Sequence, residues 1–152
     1  MKKWFVILAF LTAVPTFAQL NTHTFEEAEK LASDTPKPYV IFIHTDWCKF
    51  CKMMENTTFK NKEIIATLNQ NFYFISFDAE NKKDVFFNKT VFKFKPKGNN
   101  SGIHELATAL AEKNGNTTYP TIAILNPDYS IAAQLQSYMN AKDLLQVLNK
   151  IR

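Results

Sequence analysis

Apolar runs alternate with amphipathic segments along most of the chain. The runs at Tyr39–His44, 72–77 and 122–125 are short and rich in β-branched and aromatic residues. The first of them shows no alternation of apolar and polar positions, which is typical of a central strand covered on both faces. The stretches between the runs carry helical spacing. The pattern therefore predicts an α/β domain.

Several segments have the spacing of amphipathic helices. The first helix begins with a capping box formed by Thr24 and Glu27, and Asn140 can cap the last one. Their buried faces are expected to consist of Phe25, Ala28 and Leu31, and of Leu144, Leu148 and Ile151. Further helices are predicted from Cys48, over 62–69, and over 104–113, the last ending at Gly115 as a left-handed cap.

The segment 81–103 interrupts this alternation. Apolar residues on either side of Asn88-Lys89-Thr90 predict a short hairpin, and the composition of 95–102 predicts a loop. The segment is too short for a core of its own, so we interpret it as an insertion in the domain. It has two interpretations, a flap beside the active site or a decoration at the sheet edge. A turn at 126–129 then leads to a hairpin partner at 131–136.

The N-terminus has the pattern of a secretory signal peptide. Lys2 and Lys3 precede an apolar stretch of 11 residues, and small residues stand before a cleavage site between Ala18 and Gln19. The stretch is short for a bilayer, which needs about 20 residues, so a cleaved signal peptide is favoured over the alternative of an uncleaved anchor. The domain boundaries are therefore 1–18 for the signal peptide and 19–152 for the mature domain. Export to the periplasm or beyond would allow disulfides to persist.

Net charge excludes one class of partner. The formal charge is +4, and Lys2 and Lys3 supply two of these charges. What remains is weak and dispersed, so we expect no nucleic-acid partner.

The two cysteines of the chain stand together after the first strand. The stretch is Trp47-Cys48-Lys49-Phe50-Cys51-Lys52. A Cys-x-x-Cys at the start of a helix suits reversible dithiol chemistry, because the free N–H groups there stabilise a thiolate on the first cysteine.

Other uses of the two cysteines fit less well. A structural disulfide would close too small a loop to stabilise much. Zinc needs four ligands, and the three histidines are scattered, so we expect no metal site. A haem attachment site would have His where Lys52 stands. A copper-handling role with His44 as a further ligand stays open, although His44, Met53 and Met54 are more typical of core residues.

The motif resembles that of thioredoxins. Trp-Cys-x-x-Cys-Lys occurs with a distant Tyr119-Pro120-Thr121 before a strand. The chain is similar to secreted thioredoxin-like proteins and to the C-terminal domain of DsbD-type disulfide reductases, on the stretch from Asp46 to Lys52 and on Thr58-Phe59. The resemblance covers 22–152 apart from 81–103. It implies a thioredoxin fold, with a central mixed β-sheet flanked by helices.

The resemblance also implies roles for individual residues. Cys48, at an exposed helix end, would be the nucleophile, and Cys51 would resolve the mixed disulfide. Trp47 would shield the dithiol and dock partners. Pro120 would be a cis-proline, and Tyr119 before it would contact the substrate. No cofactor besides the Cys48–Cys51 disulfide is implied.

The sequence departs from the family at two places. Phe42 stands where reductase-type thioredoxins have a buried acid. Either Asp46 or Glu55 replaces this acid, or resolution of the mixed disulfide by Cys51 is slower. Lys49 and Phe50 replace a Gly-Pro pair between the cysteines. The Lys49 ammonium should favour a Cys48 thiolate. Asp46 and Lys49 are therefore expected to support the site.

Together these observations predict a monomeric periplasmic thiol–disulfide oxidoreductase, more a reductase or isomerase than an oxidase. Its partners would be exported proteins that contain cysteine, and a membrane or periplasmic thiol donor would keep it reduced. The alternative is a binding module that holds partners in the groove at Tyr119 and Pro120 without catalysis.

Overall fold

A mixed four-stranded sheet forms the centre of the computed structural model, which describes residues 19–152. The strand order is β10-β9-β1-β2, with β1 parallel to β2 and antiparallel to β9. Its strands are β1 (Tyr39–His44), β2 (Tyr73–Asp78), β9 (Thr121–Leu125) and β10 (Ile131–Leu135). The helices are α1 (Phe25–Asp34), α2 (Lys49–Asn56), α3 (Lys62–Asn71), α4 (Glu105–Ala111) and α5 (Ala141–Ile151), with a 3₁₀ turn at Thr58–Lys60.

The central strand β1 is buried on both faces, as its sequence predicted. Tyr39, Ile41 and Ile43 lie in the apolar cluster that α1 and α4 cover, whereas Val40 and Phe42 lie in the cluster that α2, α3 and α5 cover. Successive side chains of a strand point to opposite faces, so an uninterrupted apolar run requires helices on both sides. The predicted α/β architecture is confirmed.

The predicted helix caps are present, with one difference on a buried face. Thr24 and Glu27 form the capping box, and Asn140 accepts a hydrogen bond from the Asp143 N–H. Leu31, however, is 42% exposed. The buried stripe of α1 continues through Ala32 instead, which lies seven residues after Phe25 and therefore on the same face.

The insertion forms two hairpins where one was predicted. Strands β3 (Val85–Phe87) and β4 (Thr90–Phe92) pair as expected, and Asn88 and Lys89 between them have positive φ angles, as in a type I′ turn. Strands β5 (Phe94–Pro96) and β6 (Gly102–His104) also pair, so the prediction of a loop over 95–102 missed their ends. A Cβ at Gly102 would collide with the Lys95 carbonyl oxygen, so this pairing requires glycine.

The first hairpin packs at the end of the sheet that lies farthest from the cysteines. Phe87 contacts the rings of Phe25, Tyr39 and Tyr129 with centroid distances of 4.9, 5.8 and 5.3 Å. Tyr39 is the first residue of β1, while Cys48 follows the last one. This position favours the interpretation of β3 and β4 as a decoration.

The helix predicted over 104–113 is shorter than expected. It ends at Ala111, and β7 (Glu112–Lys113) pairs with β8 (Asn116–Thr117). Asn114 and Gly115 have φ angles of 54° and 77°, which form the hairpin turn. The predicted left-handed Gly115 is therefore correct in conformation but wrong in role, because Asn-Gly is also the strongest short hairpin signal.

The predicted signal peptide, 1–18, lies outside the described residues. Among residues 19–152, no helix has the length and apolar character that crossing a membrane requires.

Candidate active site

Cys48 and Cys51 form a disulfide at the N-terminus of α2. Cys48 is the N-cap, and its Sγ accepts a hydrogen bond from the Cys51 N–H at 3.1 Å. Cys51 is fully buried, and Cys48 is 5% exposed. Cys48 is thus more covered than the sequence predicted, because it packs in the same apolar cluster as Cys51. The local order of strand, short connection and helix places both sulfur atoms where helix N–H groups can stabilise a thiolate.

Trp47 is held over the surface next to the disulfide. It is 65% exposed, and its indole N–H donates a hydrogen bond to Glu80 Oε1 at 3.1 Å. Glu80 is not among the site residues predicted from the sequence. A signal existed, because parallel strands end at the same sheet edge and His44 pairs with Asp78, so residues after β2 lie beside those after β1.

Tyr119 packs against the apolar cluster that contains Cys48 and Cys51. The bond between Tyr119 and Pro120 is cis, as the resemblance implied. The Tyr119 ring meets that of Trp47 edge-on, with centroids 6.0 Å apart. The Tyr119 hydroxyl is buried and has no hydrogen-bond partner in the described part of the chain. Burial, together with the weaker effect of the negative charges of Glu80 and Asp78, raises the pKa of Tyr119 to about 12.

His44, at the end of β1, and Glu55, on α2, form a polar pair. His44 Nε2 lies 3.1 Å from Ser76 Oγ, and its Nδ1, which is buried without a hydrogen-bond partner, lies 3.9 Å from Glu55 Oε1. Glu55 also pairs with Lys52 at 3.2 Å. Burial lowers the pKa of His44 although the Glu55 carboxylate opposes the shift.

The two candidates for the missing acid differ in position. Asp46 is exposed, whereas Glu55 follows Cys51 by four residues on α2 and so lies on the same side of the helix. Phe42 is buried and stacks on His44, with centroids 5.2 Å apart. Glu55 is therefore better placed than Asp46. Lys49 is exposed, and no ion pair of Lys49 is present within residues 19–152.

Exposed apolar side chains surround the disulfide. Trp47, Phe50 and Met53 are 65%, 58% and 46% exposed, and we call these three residues the apolar rim. The interpretation of Met54 as a core residue is confirmed by its complete burial, whereas that of Met53 is wrong. The two side chains differ because successive helical residues point about 100° apart, and only Met54 faces the sheet.

Among residues 19–152, no group of three or more His, Cys, Asp or Glu side chains could hold a metal ion. His104 caps α4 through Nδ1, which accepts a hydrogen bond from the Leu106 N–H.

Comparison with known proteins gives a family. A model described as a thioredoxin-like domain matches residues 25–152. Among curated proteins, spermatogenesis-associated protein 20 of Mus musculus is 37% identical over 60 residues, which are 40% of this chain. This chain spans only 8% of the length of that relative.

Solved structures have the same fold. DsbH oxidoreductase matches with a TM-score of 0.61 and 18% identity, covering 94% of both chains. The disulphide isomerase from Xylella fastidiosa matches at 0.56 and 16%, covering 83% of this chain and 86% of its own. The reduced C-terminal domain of DsbD from Neisseria meningitidis matches at 0.54 and 18%, covering 82% and 90%. The predicted thioredoxin fold, with a mixed sheet flanked by helices, is confirmed.

Proposed function

The chain belongs to the thioredoxin-like family, and from that premise we propose that it is a thiol–disulfide oxidoreductase whose reacting groups are Cys48 and Cys51. The observation that carries the proposal is the Cys48–Cys51 disulfide at the start of α2, beside the cis peptide bond of Tyr119 and Pro120. A thiolate at such a position is nucleophilic near neutral pH.

The reaction has two exchange steps. The Cys48 thiolate of the reduced protein attacks one sulfur of a partner disulfide, forms a mixed disulfide, and displaces the other partner sulfur as a thiolate. The Cys51 thiolate then attacks Cys48 Sγ, and the second partner sulfur leaves. The partner gains two electrons and two protons, and the protein is left with its Cys48–Cys51 disulfide.

The second step needs a group that handles the Cys51 proton. Cys51 is fully buried in an apolar cluster, which disfavours its charged form. Glu55 accepts this proton in our proposal, and His44 lies beside the Glu55 carboxylate and interacts with its negative charge. Support comes from the 3.9 Å approach of His44 Nδ1 to the Glu55 carboxylate and from the absence of an acid at Phe42.

The sequence supports a proposal for the location of the reaction, its partners and its electron donor. The proposed signal peptide 1–18 directs the protein to the periplasm, where its partners are exported proteins with cysteines. A membrane or periplasmic thiol donor re-reduces the Cys48–Cys51 disulfide, and the protein acts as a monomer, as a reductase or isomerase.

A reductase assay tests the proposal. With a dithiol donor, the protein should reduce insulin, and Cys48→Ser should abolish the reaction. Cys51→Ser should trap partners as mixed disulfides, because the second step is lost. Equilibration with glutathione gives the direction of electron flow.

The competing function is a binding module. A module that only holds partners would bind them equally well as wild type and as Cys48→Ser, and would not reduce insulin. That result would refute the enzymatic proposal and leave the binding function.

A further inference from the structure

The His44 ring is held on two sides at the end of β1. Its Nε2 lies 3.1 Å from Ser76 Oγ on the edge strand β2, and the ring stacks on Phe42 with centroids 5.2 Å apart. Ser76 is exposed, whereas the His44 side chain is only 13% exposed. Rotation of the ring would lose both contacts, so its second nitrogen has a fixed direction.

The second nitrogen, Nδ1, faces a carboxylate without bonding to it. It lies 3.9 Å from Glu55 Oε1, beyond hydrogen-bond distance, and is buried without a partner among residues 19–152. When the ring is neutral and its Nε2–H donates to Ser76, Nδ1 is an acceptor, as the carboxylate is. Two acceptors that face each other are satisfied by one proton between them. A buried polar atom without a partner needs a reason, and this arrangement supplies one.

The surroundings of His44 keep its ring neutral at pH 7. Burial lowers the pKa of His44 from its ordinary value of 6.5. The carboxylates of Glu55, Asp78 and Asp46 oppose this shift, and the Lys52 ammonium adds to it. These charged groups come from α2, from β2 and from the connection after β1. Neutral His44 can therefore accept a hydrogen bond at Nδ1.

A cavity leads from this arrangement toward solvent. Its volume is about 350 Å³, and Phe42, Glu55 and Ser76 lie in its lining. Such a space holds water where polar groups supply hydrogen bonds, as the Glu55 carboxylate and the Ser76 hydroxyl do. A proton on Glu55 therefore has a way out that does not pass the cysteines.

We propose that His44 is a positioning residue for the second exchange step, in which it holds the proton that Glu55 takes from Cys51. The protonated Glu55 carboxyl donates a hydrogen bond to His44 Nδ1. A carboxylate is a weaker base than a thiolate, so it takes a thiol proton readily only where its protonated form is stabilised. This role rests on the proposed exchange reaction and adds to it a condition on the charge of His44.

The step balances within the protein and its partner. The Cys51 S–H bond breaks, its proton goes to Glu55, and the sulfur electron pair forms the bond to Cys48 Sγ. The bond between Cys48 Sγ and the partner sulfur breaks, and that sulfur leaves as a thiolate. Glu55 then releases its proton to water in the cavity.

Glutathione disulfide isolates this step. The reduced protein forms a mixed disulfide between Cys48 and glutathione, and attack by Cys51 then releases the glutathione. Acid quenching and mass spectrometry measure the decay of the mixed disulfide. His44→Phe keeps a ring that can stack on Phe42 but has no nitrogen, so this decay should be about tenfold slower at pH 7.

Two further variants separate the role from a loss of packing. His44→Asn keeps an oxygen acceptor near the position of Nδ1, so its decay rate should stay within about twofold of wild type at pH 7. The matched control is His23→Phe, since His23 is a half-buried histidine that packs on Tyr73 outside this arrangement. Its rate should equal that of wild type.

Two readouts do not depend on His44→Phe folding well. The ratio of the wild-type rate to the His44→Asn rate should fall as the pH drops below about 6.5, because only the imidazole then gains a proton. In the reduced wild-type protein, ¹⁵N NMR should show the neutral His44 ring with its proton on Nε2.

The outcomes distinguish this role from the exchange reaction itself. A His44→Phe decay rate equal to that of wild type, a rate ratio that does not change with pH, or a neutral ring protonated on Nδ1 would overturn the role of His44 and leave the oxidoreductase standing. If no mixed disulfide with glutathione forms at Cys48, the oxidoreductase proposal itself fails.

Discussion

At the end of the sheet where β1 begins, tyrosine hydroxyls have partners, whereas at the end that leads to Cys48 three buried polar atoms have none. At the first, which we call the Tyr39 end, Tyr129 donates to Glu29 Oε1 at 2.9 Å and Tyr73 donates to the Thr35 carbonyl at 2.7 Å. At the second, the Cys48 end, the atoms without partners in the described residues are His44 Nδ1, Thr45 Oγ1 and Tyr119 Oη.

This difference suggests that the Tyr39 end serves as a scaffold and the Cys48 end as the reactive site. A buried polar group without a hydrogen bond costs about 1–3 kcal/mol, so such groups are rare and need a reason. At the Cys48 end they lie directly before the Cys-x-x-Cys stretch and before Pro120. The paired hydroxyls and packed aromatic rings of the Tyr39 end stabilise the fold and offset the cost of the unpaired polar atoms at the Cys48 end.

Phe87→Ala should have the largest effect, and at the Tyr39 end. Phe87 is buried among three aromatic rings, so its loss should lower the free energy of unfolding by about 3–5 kcal/mol. Urea denaturation measures this change. The control is Phe86→Ala on the same strand, which is half exposed and should change little. Equal losses for the two variants would contradict the scaffold role.

Glu55→Gln should act at the Cys48 end, and on rate more than on stability. If Glu55 takes the Cys51 proton, collapse of the mixed disulfide should slow about ten- to a hundredfold at neutral pH. Rapid-quench measurement of the mixed disulfide follows this step. Glu112→Gln, an exposed carboxylate on β7, is the control. A Glu55→Gln rate equal to that of wild type would remove Glu55 from the mechanism.

Two tyrosine substitutions should differ in their effect on the free energy of unfolding. Tyr129→Phe removes a paired hydroxyl and should lower the free energy of unfolding by about 1 kcal/mol, whereas Tyr119→Phe removes an unpaired one and should leave it unchanged or raise it. Thermal and urea denaturation compare them. A loss of the same size in both variants would erase the contrast between the two ends.

Acid should weaken the fold through its buried histidines. His104 Nδ1 accepts the Leu106 N–H, so the ring proton is on Nε2 and faces the Lys83 carbonyl. Burial lowers the pKa values of His104 and His44 below their ordinary value of about 6.5. The unfolded chain then binds more protons, so stability is full above about pH 6.5 and falls as the pH drops below it.

The histidine contribution can be measured by substitution. His104→Asn keeps an acceptor for the Leu106 N–H and removes the titrating ring. The unfolding free energy of this variant should therefore depend less on pH below about 6.5, by up to ~1 kcal/mol per pH unit. A pH dependence identical to that of wild type would exclude His104 as its source.

Local signals in the sequence predicted much of the fold. The capping box of Thr24 and the apolar run of β1 depend on neighbours in the chain, so the structure agrees with them. The pairing of β5 with β6 was missed, because the intervening residues are polar and each strand is only three residues long. Asn114-Gly115 fits both a helix end and a hairpin turn, and composition alone does not choose between them.

The site, like the fold, contains residues that local signals predicted and residues that they did not. Cys48 and Cys51 could be found from their spacing, and the cis bond at Pro120 was implied by the family resemblance. Glu80, by contrast, reaches Trp47 only through the parallel register of β1 and β2. The ring of Tyr138 lies 6.5 Å from that of Phe50. This contact depends on the position of the connection between β10 and α5, which no local pattern specifies.

Trp47, whose indole is held by its hydrogen bond to Glu80, can serve as a fluorescent reporter. Trp47 is the only tryptophan in residues 19–152, and its indole lies on the surface where a partner would dock. Its fluorescence should therefore shift toward the blue whenever something covers that surface, so occupancy can be followed without attaching a dye.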